Sequence, residues 1–396
     1  MLTNRQLFQL HLGVPSLMSN PVEMVGAKGI YQYDEHGNAW VDLVSGVSVS
    51  NVGHAHPHII KAIKEQAESF LHLMVYGKFV QAPQVRLAQK LTQILPAELD
   101  SVFFVNSGSE AIEGALKLAK RITGRSEMVY FKGAYHGGTA GALSLLGNEE
   151  SKNAFRPLLP DTRMLHFNDF DELNQITERT ACVLIEPVQA EAGIVLPAEG
   201  YLEKLRNRCN EMGTLLIFDE IQMGFGRTGR LFAFEHDQVI PDILCLAKAM
   251  GGGMPLGAFI SSKERMMALT NKPELGHITT FGGHPVCCAA ALASLELILE
   301  ENLVEYADDK GKIFANKLIN HPAVREIRQA GLMLGIELTD HSKMNDLMKA
   351  FHEHYLIVDR FLFNDTSFRI APPLTITDDE VKVISETIFK VLNVLI

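Results

Sequence analysis

The chain has 396 residues, 47% hydrophobic and 21% charged, a globular composition long enough for one large domain with a smaller companion. With 36 Lys and Arg against 47 Asp and Glu the net charge is −11, and no basic block stands out, which argues against nucleic acid as a partner. No apolar run reaches the roughly 18 residues of a membrane span, and Met1-Leu2-Thr3-Asn4-Arg5-Gln6 lacks the pattern of a signal peptide. The five cysteines (Cys182, Cys209, Cys245, Cys287, Cys288) show no CxxC spacing and mostly sit in apolar runs, as reduced cysteines of a cytoplasmic protein do.

Residues 1 to 57 read as an amphipathic start followed by short strands. Gly29 to Asp34 and Ala39 to Leu43 flank Glu35-His36-Gly37-Asn38, a hairpin signal. His54, His56 and His58 alternate, but no carboxylate or cysteine pattern joins them, so a loop entering a helix at Pro57 is preferred to a metal site. Helical patterns at Ile59 to Leu73 and Gln84 to Leu95 come next. Strand-like runs then follow at Ser101 to Val105, Met128 to Phe131, Ala181 to Ile185, Leu215 to Asp219, Ile243 to Ala247 and Gly257 to Ile260. Strands alternating with helices predict an α/β fold with a mostly parallel central sheet covered by helices. That places a large domain over 58–290. After a helix at Ala289 to Glu300, strands near Leu332 to Leu338 and Ser367 to Ala371 predict a smaller α+β domain made of 1–57 and 291–396, its two parts sharing a sheet.

The chemistry-bearing residues sit where apolar runs stop. Leu215-Leu216-Ile217-Phe218 runs into Asp219, and Ile243 to Ala247 into Lys248-Ala249-Met250-Gly251-Gly252-Gly253. Ligands of open α/β sheets bind at the carboxyl ends of strands. Taken singly, Asp219 is equally a helix cap or loop residue. An aspartate and a glycine-backed lysine closing two strands together match pyridoxal phosphate, which needs a lysine Schiff base and an acid beside its pyridine nitrogen. Asn106-Ser107-Gly108-Ser109-Glu110-Ala111 opens a helix after a strand, offering backbone N–H groups and two hydroxyls to an anion, or a plain serine cap. It is neither a Walker loop nor GxGxxG. Tyr135, beside His136 and glycines, is placed to stack on a flat ring or to be an ordinary half-buried tyrosine. Glu186 and Glu191 follow another buried strand.

Seven motifs occur in order: NSGSEA, AYHG, IEPVQAEAG, LLIFDEIQMGFGRTG, LAKAMGGGMPLGA, TTFGGHP and the run Arg369 to Leu374. Together they resemble the class III (ω-type) pyridoxal-phosphate-dependent aminotransferases, the group of acetylornithine, ornithine and 4-aminobutyrate aminotransferases. The resemblance implies fold type I, a homodimer with its active site at the subunit interface, and a Schiff base on Lys248. It makes Asp219 the partner of the ring nitrogen and Gln222 that of the ring oxygen, with Tyr135 stacked on the ring. Gly108 and Ser109 hold the phosphate, joined by Thr280 of the partner subunit. Ser107, His136 and Glu186 complete the cofactor site. Glu191 pairs with Arg369, which when released binds an α-carboxylate. Gly138 stands where these enzymes typically carry arginine. Met18 stands where acetylornithine enzymes have a tyrosine, and Val47 where ornithine enzymes have a gating tyrosine. The expected activity is transfer of an amino group from an acetylornithine- or ornithine-like ω-amino donor to a keto acid such as 2-oxoglutarate. An aminomutase of the glutamate-1-semialdehyde type and a catalytically silent binding homologue are the alternatives.

Overall fold

The computed structural model describes residues 2–16 and 21–396, so Met18 lies outside the described residues. An N-terminal antiparallel ribbon is formed by β1 (Met24–Lys28), β2 (Tyr31–Asp34) and β3 (Ala39–Asp42). The Asp34 carboxylate closes the β2–β3 turn by accepting from the backbone N–H groups of His36 and Asn38, each at 2.9 Å, and from Trp40 Nε1 at 3.0 Å. Immediately afterwards the backbone enters an unusual path. Ser45, Gly46, Val47 and Ser48 are consecutively left-handed, with φ of 54, 58, 65 and 59°. Left-handed backbone costs a residue with a Cβ roughly 1–2 kcal/mol, so Ser45, Val47 and Ser48 hold this turn only because surrounding contacts enforce it. His54 Nε2 lies 2.8 Å from Asp42 Oδ2, and the His56 side chain accepts from the His58 N–H at 3.3 Å, capping the helix Pro57–Ser69. These histidines serve a contact with Asp42 and a helix start.

The central sheet contains β4 (Ser101–Val105), β5 (Glu127–Phe131), β6 (Thr162–Leu165), β7 (Thr180–Ile185), β8 (Leu215–Asp219), β9 (Ile243–Leu246) and β10 (Gly257–Ser261). Their spatial order is β4-β10-β9-β8-β7-β5-β6. Pairings from β6 across to β9 are parallel, while β10 runs antiparallel to both its neighbours. The apolar runs are continuous because both faces are covered. Val183, Ile185, Leu216, Phe218, Leu244 and Leu246 join one core, whereas Cys182, Leu184, Leu215, Ile217, Ile243 and Cys245 join another. That period-two division sends alternate side chains to opposite helical layers. The helix Gly108–Thr123 covers the second face with Ala111, Ile112, Ala115, Leu116, Leu118 and Ala119. Strand β6 gives no sequence signal because it is an edge strand, and only Leu165 of its four residues is buried.

The C-terminal third adds β11 (Val324–Ala330), β12 (Met333–Leu338), β13 (Leu356–Ile357), β14 (Asp359–Arg360) and β15 (Ser367–Ile370). β11-β12-β15-β14 form an antiparallel sheet, while β13 pairs in parallel with β3, Leu356 opposite Val41. The N-terminal ribbon therefore shares its sheet with the C-terminal part. Among the described residues no helix is long and apolar enough to cross a membrane, and all five cysteines are buried and free.

Candidate active site

The carboxyl ends of β7, β8 and β9 open into a cavity of about 510 Å³ whose walls include Ser107, Gly108, Ser109, Tyr135, His136, Glu186, Glu191, Asp219, Gln222 and Lys248. Residues scattered from 107 to 248 thus converge because parallel strands present all their carboxyl ends on one edge. Thr280 lies apart: it is exposed on the surface and does not line this cavity. Arg369 enters from β15 and reaches the site through Glu191.

Lys248 follows β9 in a tight turn with φ of 49°. Burial pulls its pKa below the ordinary lysine value, against the opposing charges of Glu191 and Asp219. Asp219, the last residue of β8, accepts from the Ile221 N–H at 3.0 Å through one oxygen and lies 2.7 Å from His136 Nδ1 through the other. The opposite ring nitrogen of His136, buried, has no partner among the described residues. Glu186 accepts from the N–H groups of Tyr135 and Ala190 at 3.2 and 3.3 Å. Burial first, and then the charge of Asp219, push its pKa well above the carboxylate range, so one of these neighbouring acids holds a proton far more readily than an exposed glutamate does.

The helix Gly108–Thr123 aims its N-terminus at the cavity. Ser107 Oγ accepts from the Glu110 N–H at 3.2 Å, so the capping role and a free hydroxyl donor coexist on one side chain. Ser109 Oγ accepts from the Gly138 N–H at 3.2 Å. A Cβ at Gly108 would stand 2.9 Å from Ile221 Cδ1, itself on the cavity wall, so only glycine leaves this approach open.

Glu191 and Arg369 form a bidentate pair, Nη1 to Oε1 at 2.9 Å and Nη2 to Oε2 at 3.1 Å, with both side chains buried. Arg369 also donates to the Arg360 carbonyl at 3.1 Å, lies 5.0 Å over the Phe361 ring, and has Asp359 at 3.7 Å. Glu191 accepts further from the Leu362 N–H at 3.0 Å. With its side-chain oxygen turned to the cations, Gln222 accepts from Lys248 Nζ at 3.2 Å and from Arg369 Nη1 at 3.1 Å. Gln222 thus stands between the lysine and the arginine, on the wall of the same cavity.

Val49 and Asn106 also line the cavity, although no sequence signal marked Val49. Asn106 is held through its N–H and its amide by Glu110 at 2.7 and 2.8 Å, a link its place in the motif run could have suggested. Gly138 is exposed, with open space where a Cβ would stand. Val47 lies in the left-handed turn.

A lysine, a strand-end carboxylate backed by histidine, a helix N-terminus and an aromatic face form a donor set that fits a phosphorylated pyridine aldehyde. The unpartnered His136 nitrogen and the opening kept by Gly108 agree with that fit. The mixed seven-stranded sheet is that of a pyridoxal-phosphate-dependent transferase of fold type I. The chain belongs to the class III aminotransferases, whose family description, Aminotransferase class-III, matches residues 16–392. It is 41% identical over 366 residues to the acetylornithine aminotransferase of Methanopyrus kandleri, covering 91% of this chain and 92% of that one. A transaminase from the marine bacterium Virgibacillus has a similar structure, with TM-score 0.92 and 29% identity, over 99% of this chain and 98% of its own. The ornithine aminotransferase of Toxoplasma gondii matches with TM-score 0.89 and 30% identity, over 98% and 94%. The protein is therefore a pyridoxal-phosphate-dependent aminotransferase acting on an amino donor and a keto acid.

Proposed function

We propose that this chain moves an amino group from an acetylornithine- or ornithine-like ω-amino donor to 2-oxoglutarate. The observation that carries the reading is the buried Arg369–Glu191 pair. A guanidinium held by an internal acid can grip a substrate carboxylate when that acid turns aside, and is neutralised again for a partner whose near end carries none. An aminomutase handles a single carbon skeleton and gains little from such exchange. The acetylornithine aminotransferase identity of the 41% relative supports the donor class. Gly138 supplies no charge, so the far end of the donor need not be anionic.

The bound cofactor would supply an electron sink conjugated with the substrate nitrogen. Lys248 would anchor it and, once displaced, carry a proton at Nζ; its lowered pKa favours the neutral amine this requires. Asp219, oriented by His136, would keep the ring nitrogen protonated, since a nearby carboxylate favours the charged form. Ser107, Gly108 and Ser109 would hold the phosphate at the helix N-terminus, completed by Thr280 of the partner subunit. Tyr135 would cover the ring. Glu186, with its raised pKa, would avoid setting a second full negative charge beside Asp219.

A homodimer is supported by exposed Leu71, Leu73, Met74, Phe79 and Val80, a run continued by Phe281, whose ring lies 5.0 Å from that of His72. A sedimentation mass equal to the chain's own 43.8 kDa would refute it. Five buried, unbridged cysteines support a cytoplasmic location, which export in a localisation assay would contradict.

The activity reading is tested by following the cofactor spectrum in the two half-reactions of wild type and Arg369→Ala. Loss of a buried carboxylate partner costs about 2–5 kcal/mol, roughly 30- to 4,000-fold at 1.4 kcal/mol per tenfold. That loss should fall on 2-oxoglutarate and glutamate, while an amine lacking an α-carboxylate suffers much less. Equal losses for both partners would reduce Arg369 to a structural ion pair.

A further inference from the structure

Arg227 is fully buried, yet among the described residues no carboxylate hydrogen-bonds its guanidinium. Its Nη1 donates to the carbonyls of Leu332 at 3.0 Å and Pro372 at 2.7 Å, and its Nη2 to Asn51 Oδ1 at 2.5 Å and Ser45 Oγ at 3.5 Å. A buried cation without a bonded acid is a poor way to fill a core, because an apolar side chain avoids the desolvation. What the planar fork supplies instead is simultaneous hydrogen bonding to three chain segments.

Two of those segments adjoin residues of the site. Ser45 begins the left-handed turn, and Val49, just beyond its end, lines the cavity. Pro372 lies three residues past Arg369. The two are stitched together directly: Ser45 Oγ donates to the Ala371 carbonyl at 2.7 Å, the Ala371 N–H to Leu43 at 2.6 Å, and the Leu374 N–H to the Asn51 carbonyl at 2.7 Å. Leu332 belongs to the β11–β12 turn, and its N–H donates back to the Arg227 carbonyl at 3.0 Å. The preceding Gly331 has φ of 57°, and a Cβ there would stand 2.3 Å from the Thr228 carbonyl carbon, so the two loops meet backbone to backbone. The turn's conformation is one that residues with a Cβ leave when released.

We propose that Arg227 is a positioning residue for substrate: it clamps the left-handed Ser45–Ser48 turn to the segment behind Arg369, fixing the rim at which a substrate carboxylate is received. The inference rests on the reading of Arg369 as the carboxylate-binding group. Arg227 touches neither substrate nor cofactor and acts through Ser45, Asn51 and Pro372. Burial lowers its pKa to about 9, so the clamp remains charged at neutral pH.

The test compares Arg227→Met, Arg227→Lys and Ser45→Ala with wild type and Arg369→Ala, each loaded with cofactor. It reads both half-reactions and hydrogen exchange at the Val49 and Ser50 amides, which bond the Ser45 carbonyl. Misplacing a binding group by about 1 Å costs on the order of 100-fold. Arg227→Met should show a loss of that order in kcat/KM for 2-oxoglutarate, a several-fold smaller loss for a carboxylate-free amine, and faster exchange at both amides. Arg227→Lys should not restore the rate, since an ammonium cannot span the four acceptors, and Ser45→Ala should repeat the pattern more weakly. Equal losses in both half-reactions, or unchanged amide exchange, overturns the clamp. If Arg227→Met does not fold, Ser45→Ala decides by the same two readings. Should Arg369→Ala itself not discriminate between partners, the substrate reading fails. Should it discriminate while the Arg227 and Ser45 variants do not, only the clamp fails.

Discussion

Replacing Glu191 with glutamine keeps the shape of the acid that holds Arg369 and removes its charge. The wild-type pair makes two hydrogen bonds, at 2.9 and 3.1 Å, between buried groups. Glutamine offers one acceptor oxygen where the carboxylate offers two, and its amide nitrogen cannot accept, so the change forfeits one charge-assisted bond of about 1.5–3 kcal/mol. On the proposed reading a substrate carboxylate displaces Glu191 to reach Arg369, and that competition weakens in the variant. Binding of 2-oxoglutarate should tighten by about 10- to 150-fold, at 1.4 kcal/mol per tenfold. The Arg360 carbonyl at 3.1 Å and Asp359 at 3.7 Å still hold the guanidinium, which favours the lower end of that range. A carboxylate-free amine should react more slowly, because it now faces a cation that nothing neutralises. Stopped-flow measurement of each half-reaction against concentration separates binding from rate. Weaker or unchanged binding of 2-oxoglutarate would refute the exchange of partners at Arg369.

Asp219→Asn preserves size but removes the charge proposed to hold the ring proton, and kcat should fall by more than about 100-fold, comparable with losing one strong electrostatic contact; an unchanged kcat would contradict the assignment. Lys248 reacts as a neutral amine, and burial lowers its pKa, so the neutral form persists to lower pH than in an exposed lysine. In cofactor-free protein its labelling by an amine-selective reagent should reach half-maximum below the ordinary value of about 10.4. Glu191→Gln should move that midpoint lower still, because the charge of Glu191 holds it up. A midpoint at or above the ordinary lysine value would refute this.

Where the chemistry is local, the sequence determined it. Buried strands of a parallel sheet are continuous apolar runs, so the residues that end them, Asp219 and Lys248, stand out without knowledge of their neighbours. The helix start at Gly108 was legible for the same reason, since a strand, a small-residue turn and an amphipathic helix follow one another in the chain. The order of seven motifs carried the family and the cofactor. Tertiary structure decided the partners. Arg369 meets Glu191 across 178 positions, His136 meets Asp219 across 83, and Arg227 meets Ser45 across 182. Hydrophobic periodicity tells which face of an element is buried, not which distant side chain stands opposite. The left-handed turn at Ser45–Ser48 was invisible for a related reason: its serines and valine do not favour that backbone, and the local bond to Asp42 is joined by a distant one to Ala371 in holding Ser45 there. Gln222 shows the same limit at atomic scale. Its motif fixed its place after β8, but only the folded chain sets it between Lys248 and Arg369, because β8 and β9 end at the cavity while β15 of the other sheet brings Arg369 to it.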